Sequence, residues 1–233
     1  IKFINKVIFT QNFVMHDSVK KYKNIISAIT SELEAEKTLK MPKIIAVSKT
    51  FNLEKIIPLI EFGHLDYGEN KVQEAIDKWS EIKIKKPDIK LHLIGKLQSN
   101  KVKFAVRIFD FIHSLDSAKL AKKISDEQLK QNKKMKLFIQ VNIGIEDQKG
   151  GVNKKELHNL YNYCKKLNLD VIGLMCIPPI NKNPKKFFKE TNLLKKELSL
   201  LELSMGMSSD YIEAVKNSST YLRIGSDIFG NRY

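Results

Sequence analysis

Short strand-like runs and amphipathic helical stretches alternate along this chain with a regularity that leaves few folds open. The strand-like runs are KIIAVS (43–48), HLDYGE (64–69), KLHLIG (90–95), FDFIHSL (109–115), MKLFIQVNI (135–143), DVIGLMC (170–176), LELSMG (201–206) and TYLRIG (220–225). Between them lie LEKIIPLIEF, NKVQEAIDKWSEI, SNKVKFAVRI, SAKLAKKISDEQLKQN, NKKELHNLYNYCKKL, PKKFFKETNLLKKEL and SDYIEAVKN, each with apolar residues at helical spacing. Ser, Asp or Asn stands at or near the head of several of these helices, as an N-cap requires. A further amphipathic stretch, SVKKYKNIISAITSELEAEK (18–37), precedes the first strand.

Strict alternation implies parallel strands, because each return to the same edge needs a crossover helix. Eight such units in one chain of 233 residues are the number that closes a single (β/α)8 TIM-type barrel, an α/β fold, here with an extra N-terminal helix. A doubly wound open sheet would place a glycine-rich turn after the first strand, and the turn here is SKTFN. No Pro-, Gly- or Ser-rich linker divides the chain, so residues 15–233 read as one barrel domain and residues 1–14 as an N-terminal extension outside it.

Composition narrows the function classes. The net charge of +15 points first towards nucleic acid or acidic lipid. Against this, only three of the 41 basic residues are arginines, the bidentate reader of phosphates and bases. The lysines are spread over most helices in small clusters, which describes a solvated surface better than a nucleic-acid groove. No apolar run approaches the roughly 20 residues that span a bilayer. Cys164 and Cys176 lack CxxC spacing and read as reduced, buried thiols in a cytoplasmic protein.

In a barrel of this kind the chemistry sits where the strands stop, and phosphate is held by the loops after strands seven and eight. Lys49 follows the first strand, whose apolar stem IIAVS delivers its amine to the mouth. A partly desolvated lysine amine near other cations is able to attack an aldehyde. RIGSDIFGN supplies Arg223, Gly225 and Ser226 after the last strand, where glycine lets backbone N–H groups approach an anion closely. LSMGMSSD after strand seven places Ser208 or Ser209 as the N-cap of the next helix. Glu69, Asn70 and Asn142 add polar groups at other strand ends. His92 reads as a histidine hydrogen-bonded in place, with proton donation as the alternative. Met175 reads as a residue of the barrel floor or one that touches a ring. GIEDQKGGVNKKEL reads as a loop entering a helix, with Gly150 and Gly151 as hinges of a candidate lid.

With IIAVSKT, DYGENKVQEA, LHLIGKLQSNK, SLDS, QVNIG, GLMCIPP, LSMGMSSDY and LRIGSDIFGNR in that order, the chain resembles the YggS/PROSC family of pyridoxal phosphate homeostasis proteins. The resemblance runs from about residue 18 to Tyr233 and implies a barrel like the alanine racemase N-terminal domain. It implies pyridoxal 5′-phosphate (PLP) as cofactor, held as a Schiff base on Lys49. Gly225 and Ser226 match the phosphate-binding positions, and Arg223 matches the arginine facing the pyridine nitrogen. Ser204 and Ser208 both lie in the segment that reaches the phosphate, and either could do so. Asn70 and Met175 complete the cofactor-binding set. Phe51 stands where many relatives have a further lysine, which removes a second basic group from the expected site.

The resemblance implies a role in intracellular PLP homeostasis, by buffering or by delivery to PLP-dependent apoenzymes, without robust turnover. The expected assembly is a monomer or weak homodimer. Racemisation needs a second acid/base opposite the lysine, which the racemases take from a further domain that this sequence does not include. A barrel-only PLP-dependent amino-acid racemase is the alternative.

Overall fold

The computed structural model describes residues 15–35, 37, 40–146 and 150–231; the stretch 1–14, read from the sequence as an extension, lies outside them. Eight parallel strands close into a barrel in sequence order, with β1 paired to both β2 and β8. The elements run α1 (Asp17–Ala35), β1 (Lys43–Val47), α2 (Leu53–Glu61), β2 (Asp66–Glu69), α3 (Val72–Lys85), β3 (Lys90–Leu93), α4 (Val102–Ile108) and β4 (Phe111–Leu115). They continue as α5 (Ala118–Gln131), β5 (Lys136–Val141), α6 (Leu157–Lys166), β6 (Asp170–Cys176), α7 (Pro184–Glu197), β7 (Glu202–Ser204), α8 (Tyr211–Lys216), β8 (Tyr221–Ile224) and α9 (Ser226–Phe229). Every strand read from the sequence is present, β6 over the same residues and the others trimmed at one or both ends. Single 3-10 turns at 99–101 and 154–156 lead into α4 and α6.

The helix starts are set locally. Asn52, Ser117, Asn153 and Asn183 each accept a hydrogen bond from a backbone N–H two or three residues on, which satisfies donors that a helix leaves open. Helix α1 explains its own presence. Its buried residues Val19, Ile25, Ile29 and Leu33 lie on one face, and that face packs against α2, α8 and α9. The four-residue α9 after β8 is too short to cover its share of the barrel wall, and α1 fills that place in the outer ring.

Two apolar layers arise from the period-2 alternation of each strand. The outer layer, between strands and helices, contains Ala46, Tyr67, Trp79, Leu91, Leu93, Ile112 and Leu174. The inner layer fills the lumen with Ile45, Phe111, Phe138, Met175 and Tyr221. The lumen also holds His92, His113, Ser204 and Arg223, none more than 4% exposed. Among the described residues no helix is long and apolar enough to cross a membrane, and Cys164 and Cys176 are buried free thiols.

Candidate functional site

The turn carrying Lys49 leaves β1 at the carboxyl end of the barrel, and Lys49 itself is half-buried. Its neighbours are pinned from α3. The Ser48 hydroxyl donates to Glu69 Oε1 at 2.7 Å, and the same oxygen accepts from Trp79 Nε1 and Lys78 Nζ, both at 3.0 Å. Lys78 Nζ also donates to the Ser48 carbonyl at 2.9 Å and to Glu74 Oε1 at 3.0 Å. Glu74 Oε1 in turn accepts from the Thr50 N–H at 2.5 Å. Thr50 sits at φ 67°, a left-handed conformation that a β-branched residue adopts at a cost, so the clamp holds the turn against its own preference. Burial pushes the Glu69 carboxyl up, opposed by its Trp79, Lys78 and Ser48 partners. Burial acts the same way on Glu74, but the Thr50 N–H and Lys78 outweigh it and hold it below the ordinary range.

The turn after β8 lies beside this one, because β1 and β8 pair with Ala46 opposite Ile224. A Cβ on Gly225 would sit 3.2 Å from both Val47 Cβ and Val47 O. That spacing is tighter than most side-chain contacts, so the close approach of the two turns favours glycine. The rings of Phe51 and Phe229 meet at 5.4 Å, which ties the lysine turn to α9. Phe51 thus serves packing in the turn that follows Lys49.

The β7–α8 turn closes the other flank. Gly206 lies at φ 92°, and a Cβ there would come within 2.6 Å of Ala214 Cβ. Ser208 is half-buried, and its Oγ lies 3.5 Å from the Asp227 N–H in the first turn of α9. Ser226 is exposed, with its Oγ 3.5 Å from Asp227 Oδ1. Neither Ser208 nor Ser209 caps α8, contrary to the sequence expectation. Asp210 takes the N-cap position, and its Oδ1 accepts from the Met207 N–H at 2.6 Å. A tight turn that folds back on Met207 uses the residue immediately before the helix, which leaves Ser208 pointed away from the capping role.

Below these turns the Arg223 guanidinium is held at both terminal nitrogens. One donates to Ser204 O at 2.6 Å and Ser204 Oγ at 2.7 Å, and the other to Cys176 O at 2.9 Å. Burial lowers its pKa from the usual arginine value. The Ser204 hydroxyl is fully buried and shared between Arg223 and His113 Nδ1 at 2.8 Å, so it belongs to the lumen. Met175 is fully buried in the lumen cluster, and its side chain packs there. Asn70 follows β2 at the same end.

His92 is hydrogen-bonded in place, as preferred from sequence, by Asp66 and His113. Asp66 and His113 were not singled out in the sequence. The signal for His113 was present: it sits in FIHSL as His92 sits in LHLIG, each a lone imidazole inside an apolar strand. The suggested lid falls partly on 147–149, outside the described residues. The segment beyond it is docked on β5: Gln140 Nε2 donates to Gly150 O at 2.9 Å, and Val152 bridges Val141.

The mouth carries the half-buried Lys49 and a glycine-lined turn with the Ser208 and Ser226 hydroxyls, and the Arg223 guanidinium is fixed below them; these residue types could hold an aldehyde-bearing phosphate ester. Glu69 Oε2 and Asn70 Oδ1, both buried, have no hydrogen-bond partner among the described residues, which leaves polar capacity at the end of β2.

Residues 26–232 match the family described as "Alanine racemase, N-terminal domain". A pyridoxal phosphate homeostasis protein of Aquifex aeolicus is 40% identical over 200 residues, covering 82% of this chain and 87% of that one. The structure of PipY from Synechococcus elongatus with PLP bound superposes with a TM-score of 0.77 at 34% identity, covering 87% of this chain and all of that one. An alanine racemase from Clostridium difficile shares the fold, with a TM-score of 0.68 at 13% identity; this chain covers 57% of its length.

Proposed function

The chain belongs to the pyridoxal phosphate homeostasis family, which carries the alanine racemase N-terminal domain, and on that premise we propose that it binds PLP at the barrel mouth and buffers or delivers it to apoenzymes. Residues 15–233 form the binding unit. The observation that carries the reading is the adjacency of the Lys49 turn and the Gly225–Ser226 turn on neighbouring strands β1 and β8. That adjacency allows one small molecule to be held at both its aldehyde and its phosphate. When bound, the cofactor supplies an electron sink for amino-acid chemistry.

Lys49 would hold the aldehyde end of the cofactor. Ser208, Ser226 and the first N–H groups of α9 hold the phosphate, since those N–H groups have no intrahelical acceptor. Ser204 would act instead through Arg223, a fixed cation that would meet the ring nitrogen and disfavour a proton there. Asn70 and Met175 would complete the cofactor-binding set. The naming of relatives for pyridoxal phosphate homeostasis, at 40% identity in Aquifex aeolicus, supports a carrier role.

The test is a visible spectrum before and after PLP addition, followed by borohydride reduction and mapping of the adduct. A yellow protein with the pyridoxyl group on Lys49, and a colourless Lys49→Ala variant, is the expected result. An adduct on another lysine refutes the site. Sustained conversion of an L-amino acid to its D-form by the loaded protein refutes the carrier assignment in favour of a racemase.

A further inference from the structure

The lumen contains a polar structure that runs away from the mouth. Arg223 Nη1 lies 2.7 Å from Ser204 Oγ, which lies 2.8 Å from His113 Nδ1. His113 Nε2 lies 3.0 Å from His92 Nδ1, and His92 Nε2 lies 2.9 Å from Asp66 Oδ1. Arg223 stands near the carboxyl end of β8, while Asp66 opens β2 at the opposite end of the barrel, where its side chain is 20% exposed. The chain therefore joins the mouth to solvent on the far side.

Its proton positions are set by what each end is able to do. A guanidinium only donates and a carboxylate only accepts. Ser204 Oγ must accept from Arg223, and His92 Nε2 must carry a proton for Asp66. Both imidazoles are buried and lowered in pKa, His92 chiefly by burial and His113 by burial and then by the nearby His92 and Arg223. Burial opposes the Asp66 anion, but the hydrogen bond from His92 and the charge of Lys43 work against it, and the carboxyl lies below its ordinary value. Each neutral ring has one proton, so His92 Nδ1 accepts from His113 Nε2–H. His113 Nδ1 is then an acceptor, and the Ser204 hydroxyl donates to it. The opposite tautomer of His113 would set two lone pairs against each other at 3.0 Å. Ring planes are fixed as well: His92 stacks on Phe111 and His113 on Phe138, both with centroids 4.2 Å apart.

We infer that Asp66, His92, His113 and Ser204 form a one-way hydrogen-bonded chain that positions Arg223 and carries the influence of a distant carboxylate to the ring nitrogen of the bound cofactor. Every proton in it is donated in the direction from cation to anion. Hydrogen bonds in series polarise one another, so the Asp66 charge strengthens Ser204 as an acceptor for Arg223 without touching the site. The inference rests on PLP binding with its ring at Arg223, as proposed above, and these four residues are positioning residues for it.

Two measurements test it. In wild-type protein without cofactor, long-range 15N–1H correlation of the imidazoles is expected to show His92 and His113 as neutral Nε2–H tautomers. An Nδ1–H tautomer or an imidazolium at either residue at neutral pH overturns the chain. In loaded protein, Asp66→Asn and Ser204→Ala are each expected to move the absorbance maximum and the 15N shift of ring-labelled PLP. Asp66→Asn keeps side-chain shape and lies far from the mouth, so the fold should be retained. Unchanged spectra in both variants, with the wild type loaded, overturn this inference alone. A wild type that takes up no PLP overturns the binding reading and this inference with it.

Discussion

Replacing Lys78 by methionine removes the ammonium that joins α3 to the Lys49 turn while keeping an apolar stem of similar length. Its partner Glu69 has no exposed side-chain surface, and the Lys78 side chain itself is 10% exposed. Removing one partner of a buried pair leaves the other charge uncompensated and costs about 3–5 kcal/mol. Glu69 retains donors from Ser48 and Trp79, and Glu74 is partly solvated, which places Lys78→Met near the lower end, about 3 kcal/mol. For a chain of 233 residues each kcal/mol lowers Tm by about 2–4 °C, so the variant should melt about 6–12 °C below wild type. The double variant Lys78→Met/Glu69→Gln removes the stranded charge and should recover most of that loss. Thermal and urea unfolding of the four cofactor-free proteins closes the cycle. A Lys78→Met protein within about 2 °C of wild type, with no recovery in the double variant, would show that the clamp carries no energy and that the turn is held by something else.

Stability should also fall in mild acid. Burial lowers the folded-state pKa of His64, His92 and His113, so the unfolded chain binds the extra protons. The stabilisation is complete above the unfolded value of about 6.5 and is lost as pH drops below it, by up to about 1.4 kcal/mol per pH unit for each histidine; urea midpoints that stay flat from about pH 7 to about pH 5 would contradict this burial. Gly206→Ala combines a left-handed backbone with a Cβ 2.6 Å from Ala214 Cβ. The strain of about 1–2 kcal/mol and overpacking of about 1–3 kcal/mol should lower the unfolding free energy by about 2–5 kcal/mol in chemical denaturation, and a variant as stable as wild type would mean that α8 shifts without penalty.

The eight strands were legible because parallel barrel strands need apolar residues on both faces and crossover helices need a 3.6-residue period; both patterns are local and survive in the linear chain. Lys49, Arg223, Gly225 and Ser226 could be picked out because strand ends define the mouth of any such barrel. The roles of the two serines were not legible. Ser204 ends β7 and Ser208 lies four residues later in the turn, and only the packed lumen shows Ser204 bound to Arg223 and His113 while Ser208 faces α9. The cap of α8 was misplaced by one or two residues, since several polar candidates stand in a row and the turn geometry decides among them. Sequence alone determined the number, order and direction of the strands, through periodicities set by the backbone, whereas the short α9 after β8 was not read from it. Tertiary structure alone decided that Asp66 meets His92 and that His92 meets His113, because contacts across a closed barrel depend on the register between strands, which brings together groups far apart along the chain.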